Sequence, residues 1–356
     1  MRVKLKDVCE KATSNLKQSD ILSIGGKYPV YGASGYLGNI DSYHQDKPYI
    51  AVVKDGAGIG RTTILPPKSS VIGTMQYLIP KENVMPEYLY YVVKHMRLQK
   101  YYTGATIPHI YFKDYQNEVF NLADSIRQRE IVKVLKNVED TIRYQEIEIN
   151  KFDELIKARF IEMFGDPKYN KSNLIKIKEI GSLTSGGTPS RAIPEYFKGN
   201  IRWYSAGELN SLYLTDSIEH ISETALHESS AKLFNKGTLM IGMYDTAAFK
   251  LGILTEDSSS NQACANLKPK SCYNIVWLYY LFDIMKPIFL QERQGVRQKN
   301  LSLSKIKEFE IPNAPVELQN KFEFFVQQVD KSREEVKRSL EKTQQLYDSL
   351  MQEYFG

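Results

Sequence analysis

The chain has 356 residues, of which 42% are hydrophobic and 25% charged, values that exclude wholesale disorder and favour two or three globular domains. Its net charge of +5 and 24 tyrosines permit nucleic-acid binding, while three cysteines without CxxC spacing argue against structural zinc. The charged N-terminus lacks the apolar core of a secretory signal and the longest apolar stretch, residues 275–285, is too short to cross a bilayer, so we expect a cytoplasmic protein with no membrane partner.

The chain is predicted to be a tandem repeat. Residues 3–8 reappear as 175–180 at an offset of 172, and residues 88–91 reappear as 277–280 at an offset of 189. From residue 104 onward the offset is 191, so the second copy carries a net insertion of 19 residues. Weak matches that keep a common order along the chain are the signature of duplication.

Each copy begins with a globular block rich in glycine, tyrosine and proline. Short apolar segments at 49–53, 71–79 and 239–243 predict strands. Residues 88–95 and 277–284 predict short helices. The block in each copy is therefore expected to be a mixed α/β body.

A long helix is predicted to follow each block. Ser125 with Gln128 has the form of a capping box, and Pro315 with Glu317 suits a first helical turn. Apolar residues then recur at alternating steps of four and three, which is typical of a coiled coil. The predicted seam consists of Ile131, Leu135, Val138, Ile142, Ile149, Phe152 and Ile156 in the first copy and Phe322, Val326, Val329, Val336, Leu340, Tyr347 and Leu350 in the second.

Each apolar seam needs a partner, and the simplest solution is that the two seams pack on each other. The expected fold is α+β: two mixed α/β domains joined by two long helices in an antiparallel coiled coil, with pseudo-two-fold internal symmetry. The polar seam residues Gln145, Arg333 and Thr343 could fix the register. In the alternative, each helix folds back on its own domain. The predicted boundaries are 1–120 for the first domain, 121–165 for the first helix, 166–312 for the second domain and 313–356 for the second helix.

The excess positive charge lies in the two globular blocks. Residues 1–120 carry a net +5 and residues 166–312 a net +3, whereas the helices carry −1 and −2. Two separate basic bodies could contact a duplex at two places.

Familiar catalytic signatures fail in this chain. The run Gly56-Ala-Gly-Ile-Gly60-Arg-Thr62 lacks the first glycine and the lysine of a phosphate loop, and it is interpreted as a tight turn between strands. Asp166-Pro-Lys-Tyr169 lacks the second proline of an amino-methyltransferase motif and is interpreted as a linker. The five histidines show no metal-ligand spacing. We therefore expect a protein that is not an enzyme.

Several strings together resemble the DNA-specificity subunit of Type I restriction–modification systems, over essentially the whole chain. In the first block they are Gly26-Lys-Tyr-Pro-Val-Tyr-Gly-Ala-Ser-Gly35 and Ile50-Ala-Val-Val-Lys-Asp-Gly56. In the second block they are Gly186-Gly-Thr-Pro-Ser-Arg191, Gly199-Asn-Ile-Arg-Trp-Tyr204 and Asn261-Gln262. The first block departs from the pattern at Gly73-Thr-Met-Gln76, where an Asn-Gln-like pair is expected.

The resemblance implies a non-catalytic subunit that recognises a bipartite double-stranded DNA target. Each domain would be a target-recognition domain for one half-site, with the helices as a spacer. The chain would bind no cofactor itself and would scaffold two methyltransferase subunits that use S-adenosylmethionine, with a nuclease subunit joining for cleavage. Adenine methylation requires extrusion of the base, which is consistent with leaving that step to another chain.

Loop residues that can contact base edges are the candidates for DNA binding. The loops just before each long helix hold equivalent positions in the repeat, which strengthens their assignment. The candidates are Tyr31, Ser34, Lys54, Arg61, Gln76, Thr106, His109 and Tyr111 in the first block and Ser190, Arg191, Tyr204, Asp245, Asn261, Gln262, Arg297, Gln298, Lys299 and Asn300 in the second.

Two other functions remain open from the sequence. One is a stand-alone methyltransferase, against which the missing motifs argue. The other is a coiled-coil adaptor that binds protein without intrinsic DNA readout.

Overall fold

A computed structural model describes residues 1–21, 25–104, 108–170, 172–293 and 300–356. The chain divides into two compact units, Met1–Ile147 with Val336–Gly356, and Glu148–Glu335. Each long helix therefore contributes one part to each unit. No helix in the described ranges is both long enough and apolar enough to span a bilayer.

The elements of the first repeat alternate short strands with a few helices. In chain order they are β1 (Arg2–Lys4), α1 (Leu5–Val8), β2 (Cys9–Thr13), β3 (Tyr28–Gly32), β4 (Gly35–Ile40), β5 (Tyr49–Val53), β6 (Thr62–Leu65), β7 (Ser70–Val71), β8 (Met75–Pro80), α2 (Pro86–His95), α3 (Phe112–Tyr115), β9 (Val119–Asn121) and α4 (Ser125–Phe164).

The second repeat follows the same order with additions. Its elements are β10 (Leu174–Lys176), α5 (Ile177–Ile180), β11 (Gly181–Ser185), β12 (Ile201–Tyr204), β13 (Tyr213–Leu214), β14 (Glu219–Ile221), α6 (Glu223–Glu228), β15 (Leu233–Phe234), β16 (Leu239–Gly242), β17 (Leu251–Leu254), β18 (Ser258–Ser260), β19 (Cys264–Pro269), α7 (Ile275–Phe289), α8 (Leu303–Glu308), β20 (Glu310–Pro312) and α9 (Val316–Phe355). Short 3₁₀ turns lie at Gln18–Asp20, Leu98–Tyr101, Pro194–Phe197, Ala206–Glu208, Asp245–Ala247 and Leu290–Glu292.

Sheet topology is duplicated between the units. The first unit has the sheets β1-β9, β2-β8-β5-β6 and β4-β3-β7, and the second has β10-β20, β11-β19-β16-β17-β13 and β14-β12-β18-β15. In both units the smaller mixed sheet contains one parallel pair, β3 with β7 and β12 with β18. The additional strands β13 and β15 lie between β12 and β16, together with helix α6.

Element boundaries reproduce the sequence offsets. Strand β11 begins 172 residues after β2 (181 − 9), β19 begins 189 after β8 (264 − 75), and α9 begins 191 after α4 (316 − 125). The insertion therefore falls between β12 and β16, since β12 and β16 follow β3 and β5 by 173 (201 − 28) and 190 (239 − 49). The predicted duplication and the mixed character of both domains are confirmed.

The predicted short elements occur with modest changes. Strands β5 and β16 and helices α2 and α7 lie at the expected positions. The predicted strand over 71–79 is instead two strands, β7 and β8, separated by a turn. That turn is closed by a bond from Met75 N to Ile72 O of 3.0 Å, which interrupts the extended backbone.

The first unit buries its core between the four-stranded sheet, helix α2 and both long helices. Tyr88 and Leu89 of α2 are fully buried with Leu135 of α4, and Tyr347 and Phe355 of α9 join the same cluster. Glu139 of α4 accepts hydrogen bonds from Tyr347 Oη at 2.9 Å and Tyr91 Oη at 2.7 Å. Tyr88–Tyr91 is therefore part of a packed helix, as predicted.

The second unit uses the other parts of the same two helices. Ile156 and Phe160 of α4 and Phe322 and Val326 of α9 are fully buried in one cluster with Trp277 of α7. Phe160 and Phe322 meet edge to face with ring centroids 5.2 Å apart.

The two helices run antiparallel within each unit. In the first unit Glu139 meets Tyr347 and Gln145 Nε2 donates to Ser339 Oγ at 2.8 Å, so rising numbers on α4 meet falling numbers on α9. In the second unit Arg333 meets Asp153 at 2.5 Å, and Phe322 meets Phe160. All the predicted seam residues are buried or half-buried.

The predicted capping box is wrong. Asp124 caps helix α4: its Oδ1 accepts from Ile126 N at 3.0 Å and Arg127 N at 2.9 Å. Gln128 is buried instead, where its Oε1 accepts from Met85 N at 2.8 Å. Gln319, 191 residues later, accepts from Asn274 N at 2.8 Å in the same way. These two glutamines tie the start of each long helix to the start of α2 or α7.

Candidate nucleic-acid interface

In the first unit, backbone bonds gather several loops at the edge where β5 ends and β8 begins. Lys54 follows β5, and its N–H donates to Thr74 O at 3.0 Å, next to β8. Its carbonyl accepts from Ile110 N at 2.9 Å. The predicted loop before α4 is therefore anchored beside the strand ends.

A cleft of about 350 Å³ opens at this edge. It brings together Lys54, Gln76 and Tyr111, three of the predicted DNA-binding residues. The complete lining is Lys11, Thr13, Lys54, Asp55, Gln76, Ile110, Tyr111, Phe112, Lys113 and Gln116.

Gln76 is the buried polar group of this cleft. It is 2% exposed, lies on β8 opposite Thr13 of β2, and its Nε2 has no hydrogen-bond partner among the described residues. A buried amide without a partner costs free energy, so such a group is expected to have a use. Glutamine amides can form paired hydrogen bonds with an adenine edge.

Asp55 fixes the loop that borders the cleft. Its carboxylate contacts His109 Nδ1 at 2.7 Å and Lys54 Nζ at 2.9 Å. Burial alone would raise its pKa, but the bonds from His109 and Lys54 outweigh that and lower the pKa of Asp55, so the carboxylate stays charged. His109 and Thr103 also exchange backbone bonds of 2.8 and 2.7 Å.

Tyr111 leaves this loop with half of its side chain exposed, stacked at 21° against His109. Lys113 Nζ lies 5.3 Å from the ring centroid of Tyr111. The flat exposed ring suits contact with a base or sugar. Thr106, also predicted, lies outside the described residues.

The remaining first-unit candidates meet at the tip of the β3–β4 hairpin. Arg61 donates from Nη1 to Ala33 O at 3.0 Å, beside the exposed Ser34. Tyr31 is half-buried, edge to face with Tyr36 at 6.2 Å. The connection from β5 to β6 is a tight turn with positive φ at Gly56, Gly58 and Gly60, as predicted.

The second unit has an equivalent edge with different side chains. Met243 follows β16, its N–H donates to Ala263 O at 2.9 Å, and its carbonyl accepts from Leu301 N at 2.8 Å. These bonds match those of Lys54 at offsets of 189 (243 − 54) and 191 (301 − 110). A cleft of about 240 Å³ lies here, lined by Tyr244, Glu292, Asn300, Leu301, Ser302 and Lys305.

Polar groups at this second edge largely satisfy one another. Asp245 N donates to Asn300 Oδ1 at 3.0 Å, and Lys305 pairs with Glu292 at 2.6 Å. Thr188 Oγ1 donates to Gln262 Oε1, and Asn261 Oδ1 accepts from Ala263 N at 3.0 Å. Arg297, Gln298 and Lys299 lie outside the described residues.

Arg191 is exposed but held. Its guanidinium makes a two-pronged ion pair with Glu219, with Nη2 to Oε2 at 2.7 Å, and stacks 4.2 Å from the centroid of Phe197. Ser190 beside it is exposed. A DNA contact by Arg191 would exchange Glu219 for a phosphate or base.

Tyr204 does not belong among the surface candidates. Its side chain is fully buried in the cluster with Leu214 and Met240, because β12 is the inner strand of its sheet. Trp203 is also buried and donates from Nε1 to Gly187 O at 3.0 Å, which confirms its predicted packing role.

Lys11, Thr13 and Lys113 line the first cleft and were not predicted. The alternation of β2 could have indicated Lys11 and Thr13, because Thr13 pairs with Gln76 across the sheet. Neither Lys11 nor Lys113 forms an ion pair within the described ranges.

Comparison with known proteins gives a consistent picture. The model of the family described as "Type I restriction modification DNA specificity domain" matches residues 1–152 and 170–343. The chain is similar to the Type I restriction enzyme MjaIX specificity subunit of Methanocaldococcus jannaschii, with 30% identity over 185 residues. That alignment spans 51% of this chain and 43% of the relative's length.

Two solved structures share the fold across nearly the whole chain. One is the S subunit of a Type I restriction–modification system from M. genitalium, with a TM-score of 0.60 and 15% identity, covering 100% of this chain and 96% of that one. The other comes from work on complex assembly and conformational transition of a type I R-M system, with a TM-score of 0.66 and 14% identity, covering 99% and 97%.

Proposed function

This chain belongs to the Type I restriction–modification DNA-specificity family, and from that premise we propose that it recognises a bipartite double-stranded target. Each unit would read one half through the edge at which its strands end. The paired helices would set the number of unspecified base pairs between the halves. Methylation would be carried out by partner subunits.

The observation that carries this proposal is the repetition of one edge with two sets of side chains. The same backbone bonds hold Lys54 and Met243, while the first cleft presents Gln76 and Tyr111 and the second presents Tyr244 and Asn300. A duplicated frame with divergent contacts suits an asymmetric target, because each half can be read independently.

In the first unit, cations supply positioning and the amide supplies selectivity. Lys11, Lys54 and Lys113 surround the cleft against one carboxylate, Asp55. Lysines at such a rim contact phosphates without regard to sequence. Gln76 and the loop residues His109 and Tyr111 would contact the bases.

The proposal assigns no chemistry to this chain. Two methyltransferase subunits would bind S-adenosylmethionine and the extruded adenine, and a nuclease subunit would join the complex for cleavage. The specificity chain would hold the target and the partners in register.

Mapping methylated adenines in cells that express this chain with its methyltransferase subunit tests the proposal. We expect a motif of two specified parts around an unspecified gap. The control is the methyltransferase subunit alone, which should leave that motif unmodified. A continuous motif, or the same pattern without this chain, would contradict the proposal.

A further inference from the structure

Three equivalent positions of the two repeats carry opposite charges. The first repeat (residues 1–165) has Lys94, Arg143 and Lys157, and the second repeat (residues 166–356) has Asp283, Glu334 and Asp348 at the matching places. The offsets are 189 for the position on α2 and α7 (283 − 94) and 191 for the two on the long helices (334 − 143 and 348 − 157).

In the first unit these residues meet across the repeats. Lys94 and Arg143 of the first repeat line the same cleft as Asp348 of the second. Lys94 is also bound to Glu139 at 2.7 Å. The first-repeat side of this cleft is therefore basic where the second-repeat side is acidic.

In the second unit the arrangement is reversed. Asp283 of the second repeat forms an ion pair with Lys157 of the first, with Nζ to Oδ2 at 2.9 Å. Next to it, Arg333 of the second repeat pairs with Asp153 of the first. Opposite charges again meet only because unlike repeats pack together.

Pairing between identical repeats would bring like charges together. If two first repeats packed in this geometry, Lys157 of one copy would take the place of Asp348 beside Lys94 and Arg143. If two second repeats packed, Asp348 would take the place of Lys157 beside Asp283. Like charges at such positions disfavour the wrong partner.

Neighbouring contacts favour the same choice. Ile156 would replace Tyr347 in a pair of first repeats, and Glu139 would lose the bond from Tyr347 Oη. In a pair of second repeats Gln344 would replace Asp153, and Arg333 would lose its carboxylate partner.

We propose that this exchange of charge directs each repeat to pack with the unlike repeat and prevents two copies of the chain from pairing through identical repeats. A duplicated sequence needs such a device, because its two apolar seams are otherwise interchangeable. The device is independent of DNA reading and concerns assembly of the chain itself.

The full-length double variant Lys157→Asp with Asp283→Lys tests this directly. It keeps an ion pair in the second unit with the signs reversed, so the native contact survives. Pairing of identical repeats would now place opposite charges together, because the new carboxylate at position 157 would lie beside Lys94 and the new ammonium group at position 283 beside Asp348. We expect the dimer-to-monomer ratio in sedimentation velocity to rise at least about tenfold at matched concentration, which corresponds to about 1.4 kcal/mol.

The matched control is Lys157→Arg with Asp283→Glu, which changes the same positions and keeps their charges. It should remain as monomeric as the unmodified chain. Dimers formed by exchange of unlike repeats keep all native contacts, so they would appear equally in every variant. If the charge-exchanged variant keeps a native helical signal and is no more dimeric than this control, the proposal is wrong; if its helical signal is lost, Lys157→Ala with Asp283→Ala should still raise the dimer fraction, and no rise there would overturn the proposal as well.

Discussion

The first and second units share their strand order and differ in what they present where those strands end. In the first, Lys11 and Lys113 are without ion pairs in the described part of the chain, and the buried amide of Gln76 lacks a partner. In the second, Arg191 is held by Glu219 and Lys305 by Glu292. Duplication preserved the frame, and divergence was concentrated at the edge.

The insertion points to the same conclusion. The additional elements β13, α6 and β15 all lie between β12 and β16, outside the shared central strands. By contrast Gln128 and Gln319 repeat the same buried bonds at an offset of 191. Residues that join the domain to its helix stayed the same, while residues that face outward changed.

The largest effect is expected from the buried glutamines. Gln128→Ala leaves Met85 N and the carbonyls of Asn83 and Ala123 without a partner and should lower the free energy of unfolding by about 3 kcal/mol. Gln319→Ala removes two bonds and should cost about 2 kcal/mol.

Urea unfolding monitored by circular dichroism measures both changes. The exposed Gln327 of α9 supplies the control, since Gln327→Ala should change stability by less than about 0.5 kcal/mol. Equal effects of all three substitutions would remove the parallel between the units.

The next effect concerns a carboxylate that differs between the units. Glu139 accepts bonds from Lys94, Tyr91 and Tyr347, and although burial would raise its pKa, these bonds lower it below the usual value near 4.5. The stabilisation is thus present above that pH and is lost as the pH falls through the lower, folded-state value. Glu139→Gln should destabilise the chain by about 2 kcal/mol at neutral pH and flatten the acid side of its stability profile.

Asp330→Asn at the equivalent position is the comparison for Glu139→Gln. Arg333 would keep its ion pair with Asp153, so the loss of stability should be smaller. Thermal unfolding between neutral and acidic pH checks both variants. A larger loss for Asp330→Asn would reverse the expected order.

The spacer role can be tested by insertion. Seven residues added after Ile147 and after Glu335 keep the heptad phase and lengthen each helix by about 10 Å. The gap in the methylated motif should widen by about three base pairs, at about 3.4 Å per pair. An unchanged gap would show that helix length does not set the spacing.

The smallest effect is expected from a single rim lysine. Lys113→Ala should weaken DNA binding of the complex uniformly across sequences, by about threefold, and reduce the salt slope by about one. Gln76→Ala should instead relax selectivity within one half-site. Binding titrations at several salt concentrations separate the two; Lys342→Ala on the outer face of α9 is the control.

The sequence predicted the repeat, the long helices and most of their buried residues, because a heptad pattern reports directly which face of a helix packs. It also gathered Lys54, Gln76 and Tyr111 correctly at one edge as candidates for DNA contact, though their role stays a prediction. The seam position of Arg333 was ambiguous, and the structure gives it two carboxylate partners, Asp153 and Asp330.

Other features depended on tertiary contacts that the chain order does not reveal. Gln128 has the spacing of a capping residue, yet it turns to Met85, 43 residues earlier. Tyr204 follows a loop-like motif but lies on an inner strand. The exchange of charge between Lys157 and Asp348 becomes meaningful only when the helices are seen to run antiparallel.

The central claim is that each unit reads its own half of the target. The most direct measurement replaces residues 1–120 with those of another member of the family and maps methylated adenines in cells containing the same methyltransferase subunit. The account predicts that one half of the motif changes while the other half and the gap are kept. Changes in both halves, or in neither, would contradict it.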